Sequence, residues 1–119
     1  EQRQSRAWMP LALTIRRDLP ADARLVSVTN TDPTLLNLAR RQGWLISSEQ
    51  MSSERIKQLQ DAGATHLAGS FIWDTTYHRM PDNQQDKVRE LAAASPGAWV
   101  DKQNQTYLIP IDDRPSHPD

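Results

Sequence analysis

The run Trp73-Asp74-Thr75-Thr76-Tyr77-His78 carries the densest mixture of chemical groups in the chain. Two aromatic rings stand beside a carboxylate and an imidazole. Aromatic faces stack on the apolar side of a sugar ring while polar groups bond its hydroxyls. Trp73, Asp74, Tyr77 and His78 therefore read as a ligand-contacting set in a loop. The competing reading folds Trp73 and Tyr77 back as a lid over the core, the usual fate of large aromatics. Asp74 and His78 also have the types of an acid–base pair. No serine or cysteine nucleophile motif accompanies them, so no residue is assigned as catalytic.

A second polar group, Asn30-Thr31-Asp32, ends the apolar run Arg24 to Thr29 (RLVSVT). In open α/β sheets ligands bind beyond the carboxyl ends of strands and at helix N-termini, which makes Asn30, Asp32 and Thr34 a second candidate set. Here the competing reading is helix punctuation, with Asp32 as N-cap and Pro33 in the first helical position. Phosphate cradles need glycine, none occurs before Gly43, and Asp32 would repel an anion. His66 stands beside the apolar pair Leu67-Ala68 and has no partner at metal-ligand spacing. With no cysteine in the chain, no metal site and no cofactor are expected.

The elements that must position these groups follow from periodicity. Trp8, Leu11, Ala12, Ile15 and Leu19 recur at helical spacing, with Pro10 expected in the first turn or at a kink. A strand over 24–29 leads into a helix bearing Leu35, Leu38 and Ala39, with Gly43 as its left-handed stop. Trp44 to Ser47 reads as a short strand. Ser52 or Ser53 caps a helix bearing Ile56, Leu59 and Ala62, which ends at Gly63. Thr65 to Ile72 reads as a strand weakened by Gly69, and Asp82 or Asn83 caps a helix bearing Val88, Leu91 and Ala92. Residues 98–102 and 106–111 suggest a terminal hairpin. Strands alternating with helices imply a three-layer α/β/α sandwich around a mostly parallel sheet of four to five short strands, with that hairpin antiparallel at its end.

The 119 residues suit one domain, read as 1–111, followed by a polar proline-containing tail at 112–119. With 14 basic and 15 acidic residues the formal charge is −1, which gives no electrostatic footprint for nucleic acid. No run approaches the ~20 apolar residues of a membrane helix. The start at Glu1 and the end RPSHPD read as cuts through linkers of a longer protein.

The segment DPTLLNLARRQGWLIS, with DAGATHLAGS after the next helix, resembles the C-terminal soluble domain of bacterial polytopic glycosyltransferases related to the dolichyl-phosphate-mannose–protein mannosyltransferases. The likeness runs from about Trp8 to Phe71 and rests on Asp32 to Leu36, Arg41 to Trp44 and Ala62 to Ala64. Those enzymes move a sugar from a polyprenyl-phosphate carrier on the outer face of the cytoplasmic membrane. Their catalytic carboxylates and lipid-sugar site lie in the membrane-spanning region, which has no counterpart here. The resemblance thus implies a non-catalytic domain on the periplasmic side. Its partners would be the transmembrane part of its own parent chain and a glycan or polyprenyl-linked acceptor. A free-standing sugar-binding or protein-interaction module is the alternative, and a small enzyme using Asp74 and His78 the third reading.

Overall fold

The computed structural model describes residues 2–111, with side chains from Trp8 onward. The tail 112–119 lies outside the described residues. In chain order the elements are α1 (Gln2–Asp18), β1 (Arg24–Val28), α2 (Thr34–Ala39), β2 (Gln42–Leu45), a 3-10 turn (Ser48–Gln50), α3 (Ser53–Asp61), β3 (His66–Ser70), α4 (Asp82–Ala93), β4 (Trp99–Asp101) and β5 (Thr106–Pro110).

The fold is α/β, and its five strands form one sheet in the order β2-β1-β3-β5-β4. β1 pairs in parallel with both β2 and β3, whereas β3–β5 and β4–β5 are antiparallel. The sheet is therefore mixed rather than mostly parallel. The reason is local: residues 102–105 are too short to return the chain for parallel pairing, so β5 runs back against β4 and also takes the free edge of β3.

Side chains of successive strand residues point to alternate faces, and the core divides accordingly. Val26, Val28, Leu67, Tyr107 and Ile109 join Leu59 of α3 and Val88 and Ala92 of α4 in one buried cluster. Leu25, Ala68 and Leu108 join Trp8, Leu11, Ala12 and Ile15 of α1 and Leu35 and Ala39 of α2 in another. Pro10 lies in the interior of α1 rather than in its first turn. The missing N–H costs one helical hydrogen bond, and the fully buried Leu11, Ala12 and Ile15 that follow show packing compensating for it.

Two glycines do different work from that expected. α2 ends at Arg40, which adopts the left-handed conformation (φ 56°), not at Gly43. Gly43 lies inside β2 opposite Leu25, where a Cβ would come within 1.8 Å of the Leu25 carbonyl oxygen. Glycine is there for strand approach, and β2 starts two residues earlier than the apolar run suggests. Gly69, opposite Tyr107, makes room for that ring: a Cβ would meet its hydroxyl at 2.9 Å. The Arg41 guanidinium bonds the Ile15, Leu19 and Pro20 carbonyls at the end of α1 and those of Ala39 and Arg40 at the end of α2. One cation thus serves the negative ends of two helices.

Candidate functional site

β1 and β3 are neighbouring parallel strands whose onward connections lead to opposite sides of the sheet, β1 to β2 and β3 to β4. This is a topological switch point, the place where open α/β sheets carry ligand crevices beyond the strand ends. Both sequence-nominated segments lie there. The Asn30–Thr34 turn leaves β1, and the Trp73–His78 loop follows β3.

The structure joins them through Asp32. One carboxylate oxygen accepts the Thr34 N–H at 3.0 Å and the Thr34 hydroxyl at 2.5 Å, while the other accepts the Thr76 N–H at 2.5 Å. Asp32 is not the N-cap: Pro33 takes that position and the helix begins at Thr34, so Asp32, one residue further out, holds the helix start by accepting the Thr34 N–H. Burial pushes the Asp32 carboxyl upward, but the hydrogen bonds from Thr34 and Thr76 outweigh it and hold the group below its ordinary value. The buried Thr76 hydroxyl donates to Thr34 Oγ1 at 3.3 Å and accepts the Trp8 indole N–H at 3.3 Å. Beneath these, the Ser27 and Thr29 hydroxyls are 2.7 Å apart, and Thr29 donates to the Asp32 carbonyl. This network of side chains from α1, β1, the turn and the loop lies at the crevice position.

The outer part of the loop is built differently. The Asp74 N–H donates to the His78 carbonyl at 2.7 Å, and Trp73 bridges Arg79 across the loop. Asp74 is buried, with one carboxylate oxygen 3.5 Å from His78 Nδ1, while its other oxygen, Oδ1, is buried without a hydrogen-bond partner. The His78 side chain is 68% exposed. The two aromatics have separated. Trp73 is half-buried and packs against the α1–α2 cluster, the lid role, whereas Tyr77 is 67% exposed.

The nominated residues thus fall into three groups. Asp32 and Thr34 are brought into contact with the loop through Thr76. Asp74 and His78 form a pair, and Tyr77 stands beside them in the chain with its ring outward. Asn30 is exposed, in the left-handed conformation that asparagine tolerates, and its N–H bonds the Ile46 carbonyl rather than the loop. Sequence reasoning missed Thr76 and the indole of Trp8 as polar partners. Nothing local marks them, since their contacts to Asp32 and to each other span 44 and 68 residues.

Chemically, the corner can accept and donate hydrogen bonds and present an aromatic face. Thr75 Oγ1 accepts the Tyr77 N–H, and Thr76 is buried in the network. Among the described residues no cluster of acidic or histidine side chains has the arrangement to hold a metal ion. No helix among them is long and apolar enough to cross a membrane. No family model, no curated protein and no solved structure matches the chain.

Proposed function

We propose that this chain is a non-catalytic, glycan-contacting domain, carried on the extracytoplasmic side of a membrane glycosyltransferase that uses a polyprenyl-phosphate sugar donor. The observation that carries the contact role is the combination at the switch point. An aromatic ring, Tyr77, is 67% exposed on a loop whose base is fastened by the Asp32–Thr76 hydrogen bond. A loop fastened at its base needs less backbone ordering when its ring stacks, and the adjoining exposed imidazole of His78 offers a polar partner. No serine or cysteine nucleophile motif accompanies Asp74 and His78 in the sequence, which favours contact over reaction.

The parent enzyme and the membrane location rest on the resemblance of Asp32 to Leu36, Arg41 to Trp44 and Ala62 to Ala64. The scaffold in this reading is a three-layer α/β/α sandwich, supported by the division of core residues between the α1–α2 and α3–α4 clusters. The transmembrane part of the parent chain would then bring acceptor and donor to the face that bears the loop.

The experiment is an NMR titration of the chain with a glycan panel that includes polyprenyl-phosphate-sugar analogues. Saturable shifts at Tyr77, His78 and Thr76, weakened severalfold to about tenfold by Tyr77→Ala, support the reading, since one lost stacking contact is worth roughly 0.5–1.5 kcal/mol. Absence of saturable shifts in residues 73–78 across the panel overturns it.

A further inference from the structure

A second cleft, of about 270 Å3, opens between the last turns of α4 and the β4–β5 hairpin, and none of residues 73–78 lines it. Phe71, Ala92 and Val100 surface it with carbon, Gln105 adds an amide, and the charged side chains in its lining are both cations, Arg89 and Lys102. Its size is close to the lower end, roughly 300 Å3, of pockets that hold small ligands.

The lining is held in place from several directions. The Phe71 ring packs on the fully buried Tyr107 with centroids 5.1 Å apart. The turn that carries Lys102 is fixed by Asp101. Its carboxylate accepts the Gln103 and Asn104 N–H groups at 3.1 and 3.2 Å and the Asn104 amide at 2.8 Å. Gln105, in the left-handed conformation at φ 58°, donates its side-chain amide to the Lys102 carbonyl at 2.7 Å. Arg89 touches Gln85 only at 3.4 Å and Asp86 at 3.8 Å, and its side chain remains 47% exposed. Neither contact has the short geometry of a strong charge-assisted pair.

We propose that this cleft binds a small apolar-bodied anion: a ring or short alkyl chain ending in one carboxylate. The carbon body covers Phe71, Ala92 and Val100, and the carboxylate sits between Arg89 and Lys102. A neutral apolar ligand would take water from two cations and return nothing. A sugar would need an open aromatic face, and the Phe71 ring is 6% exposed and packed on Tyr107. Inorganic phosphate would meet the cations but leave the apolar floor wet. The site is separate from the Tyr77 loop and does not depend on the glycan reading.

The test is a titration of the chain, read by amide shifts in NMR, with octanoate, octanol and inorganic phosphate. Octanoate should give saturable shifts at Phe71, Ala92, Val100 and Gln105. Octanol should bind about tenfold or more weakly, in line with a charge-assisted contact, and phosphate should leave Phe71 and Ala92 unmoved. Arg89→Gln with Lys102→Gln should bring octanoate down to the octanol level, and Val100→Asp, at an exposed position, should weaken octanoate about tenfold with the spectrum otherwise retained. The proposal is overturned if octanoate gives no saturable shift at these residues at millimolar concentration, if octanol or phosphate matches it, or if the double variant binds it unchanged.

Discussion

Asp32 and Asp74 lie beyond the same end of the sheet, after the neighbouring parallel strands β1 and β3, and their carboxylates are treated in opposite ways. Asp32 accepts three hydrogen bonds, and both its oxygens are used. Asp74 is the more buried of the two, yet one oxygen has no donor and the other faces His78 at 3.5 Å. The first carboxylate is spent on holding two loops together. The second leaves one buried oxygen without a donor and turns the other toward an exposed imidazole. The comparison separates a fastening from a surface: the turn after β1 fixes the corner, and the outer loop after β3 presents Tyr77 and His78.

The largest effect should come from breaking the fastening. Asp32→Ala removes the bonds to Thr34 at the start of α2 and the bond across to the loop, and should lower stability by about 2–3 kcal/mol in urea unfolding. A loss under about 0.5 kcal/mol would erase the distinction between the two carboxylates. Next in size, Trp8→Phe keeps most of the packing but deletes the indole bond to Thr76, and about 1 kcal/mol should be lost. At the other carboxylate, Asp74→Asn should leave stability unchanged or raise it by up to about 1 kcal/mol, because it takes a carboxylate's charge out of a buried position while keeping the side chain's shape. A loss above 2 kcal/mol would show that Asp74 is a fastening too.

Acid sharpens the same contrast. The folded Asp32 carboxyl lies below its unfolded value, so its contribution is complete above the unfolded value of about 4 and disappears as pH falls through the folded one. The stability gap between wild type and Asp32→Asn should therefore be constant near neutrality and narrow below about pH 4. A gap that widens on acidification would contradict the direction of the shift.

Much of this corner was legible from the residues. Asp32-Pro33 marked a helix start, the run 73–78 marked a loop rich in contact chemistry, and the helix faces of Trp8, Leu11, Ile15, Leu59 and Val88 marked the core. What could not be read was every relation set by distant pairing. Gly43 has the local look of a helix stop, and only the closeness of Leu25 shows why it is a glycine. Helical punctuation moved to Arg40, a residue with no intrinsic preference for the left-handed conformation. The mixed sheet depends on which edge β5 takes, and alternation of strands and helices is silent on that. Thr76 carries no signal of its own in the sequence, while its N–H is the group that joins the loop to Asp32.

The most direct measurement is hydrogen exchange at the Thr76 amide, in wild type and in Asp32→Ala. A clamp predicts a Thr76 N–H protected in wild type, exchanging much faster in the variant, with Leu67 and Ile109 in the strands still protected. A Thr76 amide that exchanges in wild type as fast as a free peptide, or that keeps its protection without the Asp32 carboxylate, would contradict it.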